Sequence, residues 1–388
     1  MATSKKIGVT TFWETIDNYG QLIQCWALQQ NLRNQGYEPY LIRYTLKRPK
    51  KNKVKRIKAF VKKCVADFLY VTGLIHILHL QNKLQTWTNV DLHTRRLQDF
   101  RRQHIVGSKI YYSVAELKTD PPEADVYITG SDQVWNYFMD KEHLPVFFLQ
   151  FGNEQTKRIS YAASIGHAEF PEDLQPEVKR YLDKFDAISI RETSAVPMFK
   201  KLGYEVASVL DPTMLLHVED YLCLIKNEQS KEGVFIYSMN YDSRDSIPFD
   251  AIKQYALKKN LPIVVTPGTG WVYASELFED VEYCYASLPQ WICNISKAKL
   301  VVTASFHGIV FSIIFHRPFI YTPLEGLFSD ANNRVLDLLS LLGLEQRVVT
   351  DEDSFERAIG SDIDWNLIEE RLDNQRKLSS EFLQKAIN

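Results

Sequence analysis

Four short clusters in this 388-residue sequence bring together side chains that could do chemistry. Thr303-Ala-Ser-Phe-His-Gly308 joins an apolar run to a helical one, which puts His307 and Gly308 beside the unpaired N–H groups of a helix start, where anions bind. Ser160-Tyr-Ala-Ala-Ser-Ile-Gly-His167 pairs with Ser189-Ile-Arg-Glu-Thr-Ser194: His167 follows a strand-like run, and Arg191 could fork onto a carboxylate or phosphate. Thr129-Gly-Ser-Asp-Gln-Val-Trp-Asn136 offers a hydroxyl, a carboxylate and an amide within one turn, suited to binding a polyol or moving a proton. Asp17-Asn-Tyr-Gly20 closes a loop and opens a helix, with Gly20 free to take an unusual backbone angle. Each cluster has a structural competitor: an Asp17 or Asn18 cap, a Ser131 or Asp132 cap, an Arg191–Glu192 pair, or a buried imidazole satisfied by a carbonyl.

The elements around them predict where these clusters meet. Ile7–Phe12, Tyr37–Tyr44, Asp125–Gly130, Arg158–Ala163, Phe185–Ile190 and Val206–Leu210 read as short apolar strands separated by helical segments. The helix over 21–34 carries Leu22, Cys25, Trp26, Leu28 and Leu32 on one side. The pattern restarts at Gly233–Ser238 and continues through Leu261–Thr266, Val281–Ala286, Leu300–Thr303 and Pro318–Tyr321. Strands alternating with helices indicate parallel sheets covered on both faces, so the expected fold class is α/β, with two doubly wound, Rossmann-like domains facing a cleft. The expected divisions are an N-terminal domain over 1–216 with a basic helical insertion at about 46–110, a second domain over 217–361, and a C-terminal amphipathic helix over 362–388. Ligands of such sheets bind beyond the strand ends, which is where all four clusters fall.

Composition narrows the class. The chain is 45% hydrophobic and 24% charged, enough to bury sizeable cores. Five cysteines without a C-x-x-C pair argue against a disulfide framework, no apolar run approaches a membrane span, and no signal-like segment opens the sequence, so a cytoplasmic location is expected. Between Pro39 and Ile110, 17 Lys and Arg face three acids, about +14 against about −16 for the remainder. The run holding Lys50, Lys51, Lys53, Lys55 and Arg56 is a solvated loop or a surface for something anionic, such as a membrane face; nucleic acid is not expected, because aromatics are not interleaved with the cations. No dinucleotide, Walker, metalloprotease or serine-hydrolase motif is present, and no ligand set has metal spacing.

Taken in order, Asn18-Tyr-Gly20, Gly130-Ser-Asp-Gln-Val-Trp-Asn136, Ser160-Tyr-Ala-Ala-Ser-Ile-Gly166, Ile190-Arg-Glu192, Leu210-Asp-Pro-Thr213, Ser305-Phe-His-Gly308 and the Asn333–Leu344 stretch resemble the polysaccharide pyruvyl transferase family over residues 7–347. The resemblance implies a fold similar to glycosyltransferase-B enzymes. It also implies transfer of the pyruvyl group of phosphoenolpyruvate to two sugar hydroxyls, giving a cyclic ketal in a surface-polysaccharide precursor that is often lipid-linked. It makes Arg191 and His307 ligands of phosphoenolpyruvate with His167 a third; Gly308, Ser305 and Arg334 complete the expected donor set. From the chemistry, Asp132 or Asp17 is the candidate acid/base beside His307, and Asn18, Tyr19, Ser131, Gln133 and Asn136 are the candidate acceptor ligands. No cofactor is expected beyond phosphoenolpyruvate as donor. Many relatives carry an Arg two residues before the histidine, where this chain has Ser305, so an arginine there is expected to tighten donor binding. The alternatives are a sugar-nucleotide-dependent glycosyltransferase on the same frame, or a catalytically silent sugar- or membrane-binding relative.

Overall fold

The computed structural model describes residues 4–15, 17–46, 95–136, 141–167, 169–241, 243–268 and 277–388. Five strands, β1 (Lys6–Thr10), β2 (Glu38–Tyr44), β3 (Gly107–Tyr111), β4 (Val126–Thr129) and β5 (Lys157–Ser160), form a parallel sheet in the order β3-β2-β1-β4-β5. In its register Gly8 lies between Tyr40 of β2 and Tyr127 of β4. Two-residue strands β6 (Ser189–Ile190) and β7 (Ala207–Ser208) extend the sheet beyond β5 through single bridges at Ile159–Ala187 and Ala163–Ile190. The second sheet repeats the plan: β8 (Val234–Ser238), β9 (Ile263–Pro267), β10 (Glu282–Tyr283), β11 (Leu300–Thr303) and β12 (Phe319–Tyr321) lie parallel in the order β10-β9-β8-β11-β12. Every residue of β4 and of β11 is buried, as a sheet covered on both faces requires. The winding reverses between β1 and β4 and again between β8 and β11, which leaves a crevice at the carboxyl ends of each pair.

Three expectations from the sequence need correction. The basic insertion does not run helically to residue 110: its last part is a helix, Leu97–His104, and then the edge strand β3. Lys109 and Ile110 of β3 are exposed and only Tyr111 is buried, so the strand lacked the apolar run that betrays a central one. The runs at Phe185–Ile190 and Val206–Leu210 shrink to two paired residues each. The first helix, Tyr19–Asn34, is not amphipathic: 12 of its 16 residues are buried, including Gln24, Gln29 and Asn31.

That helix lies between the two sheets. Leu28 and Leu32 pack with Ile7 and Val9 of the first sheet. Tyr19, Leu22, Ile23 and Trp26 belong to one core with Tyr237, Trp291 and Phe311 of the second domain. Tyr19 stacks on Trp291 at 5.3 Å between ring centroids, 3° from parallel. Each such fully buried apolar side chain contributes roughly 1.5–3 kcal/mol, so the seam is a core rather than a wet interface. The terminal helix, Trp365–Ile387, capped by Asp364, crosses the seam again: Ile368 and Leu372 join the shared core, and Leu383 and Ile387 pack on the first sheet.

Candidate functional site

The two crevices open into one cavity of about 310 Å³. The first domain contributes Phe12 beyond β1, Asn18 and Gln21 at the first helix, Asp132, Gln133 and Asn136 beyond β4, and Gly166 and His167 beyond β5. The second contributes Met239 and Asn240 beyond β8, Ser305, Phe306 and His307 beyond β11, and Asp330, Ala331 and Arg334. A second cavity of about 260 Å³ holds Arg191 and Asp211 with Leu210, Met214, Leu338 and Leu341; Phe306 and Arg334 line both.

Arg191 and His307 come from opposite domains and meet at one oxygen. Arg191 Nη1 donates to Asp211 Oδ2 at 2.9 Å, and His307 Nε2 stands 3.6 Å from the same oxygen, an electrostatic contact beyond hydrogen-bond length. The Asp211 side chain is 0% exposed and that of Arg191 3%. Ser131 Oγ donates to Asp211 Oδ2 at 2.6 Å, while Thr213 donates to Oδ1 from its N–H at 3.0 Å and its hydroxyl at 2.6 Å. Burial pushes the Asp211 carboxyl up, but His307, Arg191 and Ser131 outweigh it and hold the group well below the usual carboxylate range. Burial lowers Arg191, and the carboxylates of Asp211, Glu192 and Asp132 more than offset it, so its guanidinium stays charged.

This guanidinium has spare capacity. Its face lies 4.6 Å from the centroid of Phe306, while Nε and Nη2 are buried without a partner among the described residues. Arg334 Nε is likewise buried and unpartnered, and burial together with the nearby Arg191 charge lowers its pKa. The two cations stand close enough to repel each other and keep donors that an anion would satisfy. Asp132 sits at φ +80°, a left-handed conformation that costs a non-glycine residue on the order of 1 kcal/mol and is concentrated at active sites. Its Oδ1 accepts from Gln133 N at 2.9 Å, whereas the buried Oδ2 has no partner among the described residues. His167 Nδ1 meets Asp330 Oδ2 at 2.8 Å across the domain seam. Gly166, at φ +72°, leaves room for the amides of Gln133 and Asn136, which its missing Cβ would approach to within 2.5 and 2.9 Å.

Several residues named from the sequence do other work. Tyr19 is no acceptor ligand: its hydroxyl donates to Ala286 O at 2.6 Å and accepts from Arg95 Nη1 at 2.9 Å, and burial pushes its pKa up to about 12. Ser131 does not line the cavity; its hydroxyl braces Asp211. Asp17 is buried and does not line the cavity either, its charge being felt by Tyr19 and Tyr237. Gly308 serves packing rather than ligand approach, since a Cβ there would stand 2.7 Å from Thr303 Cγ2. Gly20 has no positive φ; its role is to admit His307, because a Cβ would lie 2.8 Å from the imidazole Cγ and 2.9 Å from Cε1. Ser305 lines the cavity but its Oγ caps the next helix, accepting from Gly308 N at 3.3 Å, and Arg334 lines the same cavity. Lys50, Lys51, Lys53, Lys55 and Arg56 lie outside the described residues. Asp211 was overlooked, although an Asp directly after a strand-like run in Leu210-Asp-Pro-Thr213 was signal enough.

Two doubly wound α/β domains with a polar cavity at their facing crevices have the two-domain architecture of the glycosyltransferase-B fold. A crystal structure of UDP-N-acetylglucosamine 2-epimerase matches the chain at a TM-score of 0.52 with 9% identity, covering 99% of this chain and 95% of that one, a likeness of fold alone. UDP-GlcNAc 2-epimerase from Neisseria meningitidis gives 0.49 at 9% identity over 98% and 100% of the two chains, and UGT89C1 of Arabidopsis thaliana 0.48 at 9% over 98% and 100%. No curated protein sequence matches. The family model for polysaccharide pyruvyl transferase matches residues 18–323. The chain belongs to that family, and it is a transferase.

Proposed function

We propose that this transferase moves the pyruvyl group of phosphoenolpyruvate onto two hydroxyls of a sugar and releases phosphate. The observation that carries the reading is the meeting of Arg191, His307 and Arg334 beside the polar cavity, with buried guanidinium N–H groups left unpartnered. Phosphoenolpyruvate brings a carboxylate and a phosphate, and two forked cations flanking an imidazole match that pair of anions. The amides of Asn18, Gln21, Gln133 and Asn136 suit the hydroxyls of a sugar on the other side of Phe306. Asp132, through its unpartnered Oδ2, takes the proton of the first acceptor hydroxyl and passes it to the methylene carbon, making C2 electrophilic. That hydroxyl oxygen bonds to C2. The C2–O bond to phosphate then breaks with its electron pair on phosphate; the second hydroxyl closes the ketal and gives its proton to the His307 imidazole, which passes it to phosphate. Both hydroxyl protons are thus accounted for, one in the new methyl group and one on phosphate, with no resident cofactor required.

The acceptor in this reading is a lipid-linked precursor of a surface polysaccharide, and Lys47–Lys63 holds the protein at an anionic membrane face. Among the described residues no helix is long and apolar enough to cross a membrane. The test is incubation with phosphoenolpyruvate and a panel of free and lipid-linked sugars, following phosphate release and the ketal methyl signal by NMR. Transfer from a nucleotide sugar with phosphoenolpyruvate unused would overturn the donor assignment. Binding without turnover of either donor would point to a silent relative.

A further inference from the structure

Asp211 is a charged group that meets both Arg191 and His307, and it does not line the cavity that would hold the sugar. We propose that Asp211 is the positioning residue of the transfer, fixing the His307 imidazole with its proton on Nε2 and locking Arg191 to the same oxygen across the domain seam. The proposal rests on the phosphoenolpyruvate reading for its kinetics, but its geometry does not.

A carboxylate buried this deeply needs a reason. Ser131 and Thr213 already give it three hydrogen bonds from the first domain, and Arg191 a fourth. His307 arrives from the other domain, seated at the start of the Phe306–Ile314 helix and pressed over Gly20. Its Nε2 is buried, faces Asp211 Oδ2 at 3.6 Å and has no hydrogen-bond partner among the described residues. Facing an anion, that nitrogen carries the proton, so Nδ1 is the nitrogen left for substrate. The logic is that of a carboxylate holding a catalytic imidazole in one tautomer and orientation while staying ionised itself. As phosphate leaves with the C2–O electron pair and the second acceptor hydroxyl bonds to C2, the bare Nδ1 takes that hydroxyl's proton and passes it to phosphate. Asp211 neither gains nor loses a proton in this cycle, in keeping with the depressed pKa of its carboxyl. The helix-borne histidine and the arginine just beyond β6 are thus tied to one carboxylate oxygen.

The full-length Asp211→Asn variant tests this, since the amide keeps the size and the Ser131 and Thr213 contacts but loses the charge. In the folded variant kcat should fall at least about 100-fold, and Asp211→Asn combined with His307→Gln should be no slower than His307→Gln alone. Ser131→Ala, which loosens Asp211 and Arg191 without touching His307, should instead act mainly on the KM for phosphoenolpyruvate. An unchanged kcat in folded Asp211→Asn, or losses that multiply in the double variant, would overturn the assignment. Should Asp211→Asn not fold, ¹⁵N NMR of His307 in the unaltered protein decides: a proton resident on Nε2 is expected, and a bare Nε2 with the proton on Nδ1 alone refutes it. An unaltered protein that releases no phosphate from phosphoenolpyruvate defeats the donor reading only, and the NMR result still judges Asp211.

Discussion

Gly20→Ala separates activity from stability at a single methyl group. The new Cβ would sit 2.8 Å from His307 Cγ and 2.9 Å from Cε1, and closer still to Nδ1, whereas an unstrained contact begins at 3.4 Å. The helix cannot yield easily, because Tyr19 beside it is stacked on Trp291 and bonded to Ala286 O. The imidazole must therefore retreat by about 1 Å, and a displacement of that size at a reacting group costs on the order of 100-fold in rate. Stability should change little. Alanine gains about 1 kcal/mol of helix propensity over glycine, which offsets most of an overpacking cost of roughly 1–3 kcal/mol. The measurement is phosphate release at saturating phosphoenolpyruvate alongside a thermal melt. A folded Gly20→Ala with kcat near that of the unaltered protein would refute the claim that His307 works from its seat on Gly20.

Arg191→Lys should fold and lose about 10- to 100-fold in kcat/KM for phosphoenolpyruvate, because an ammonium cannot hold Asp211 and still fork onto an anion; steady-state kinetics check it. Asp132→Asn should lose about 10²- to 10⁴-fold in kcat while phosphoenolpyruvate still binds by calorimetry. Ser305→Arg should lower the melting temperature through a lost cap of about 1 kcal/mol and leave donor KM no better, since Arg334 already lines the same cavity. Asp211 is held below its unfolded pKa, so its contribution to stability is full above about pH 4 and declines as pH falls toward the lower folded value. The stability gap between the unaltered protein and Asp211→Asn, from urea melts, should thus narrow as the pH falls below about 4.

What could be read from the chain follows from what each residue buries. Strands such as β4 and β11 are apolar along their whole length because both faces are covered, so they announced themselves and placed Asp132 and His307 at strand exits. β3 could not, since an edge strand of Gly-Ser-Lys-Ile-Tyr has almost no inward face. The glycines misled for a different reason. Gly20 and Gly308 were legible as special, but whether the missing Cβ spares a ligand, a backbone angle or a neighbouring side chain is set by what stands opposite, His307 from the other domain in one case and Thr303 in the other. Tyr19 resembled a polar ligand until its partners, Trp291 and Arg95, arrived from 272 and 76 residues away. Asp211 follows a strand-like run, but its partners Ser131, Arg191 and His307 come from three segments that meet only in the fold.

The shared core around Tyr19 and Trp291 bears on how such a protein can work as a machine. Two lobes joined by a flexible stalk can gape and clamp; two lobes fused through aromatic rings cannot part without exposing Trp291, Phe311 and their neighbours to water. At the rim of the shared cavity His167 of one lobe meets Asp330 of the other. The same fusion makes the pair of lobes melt as one body rather than in two stages, which calorimetry should show as a single transition.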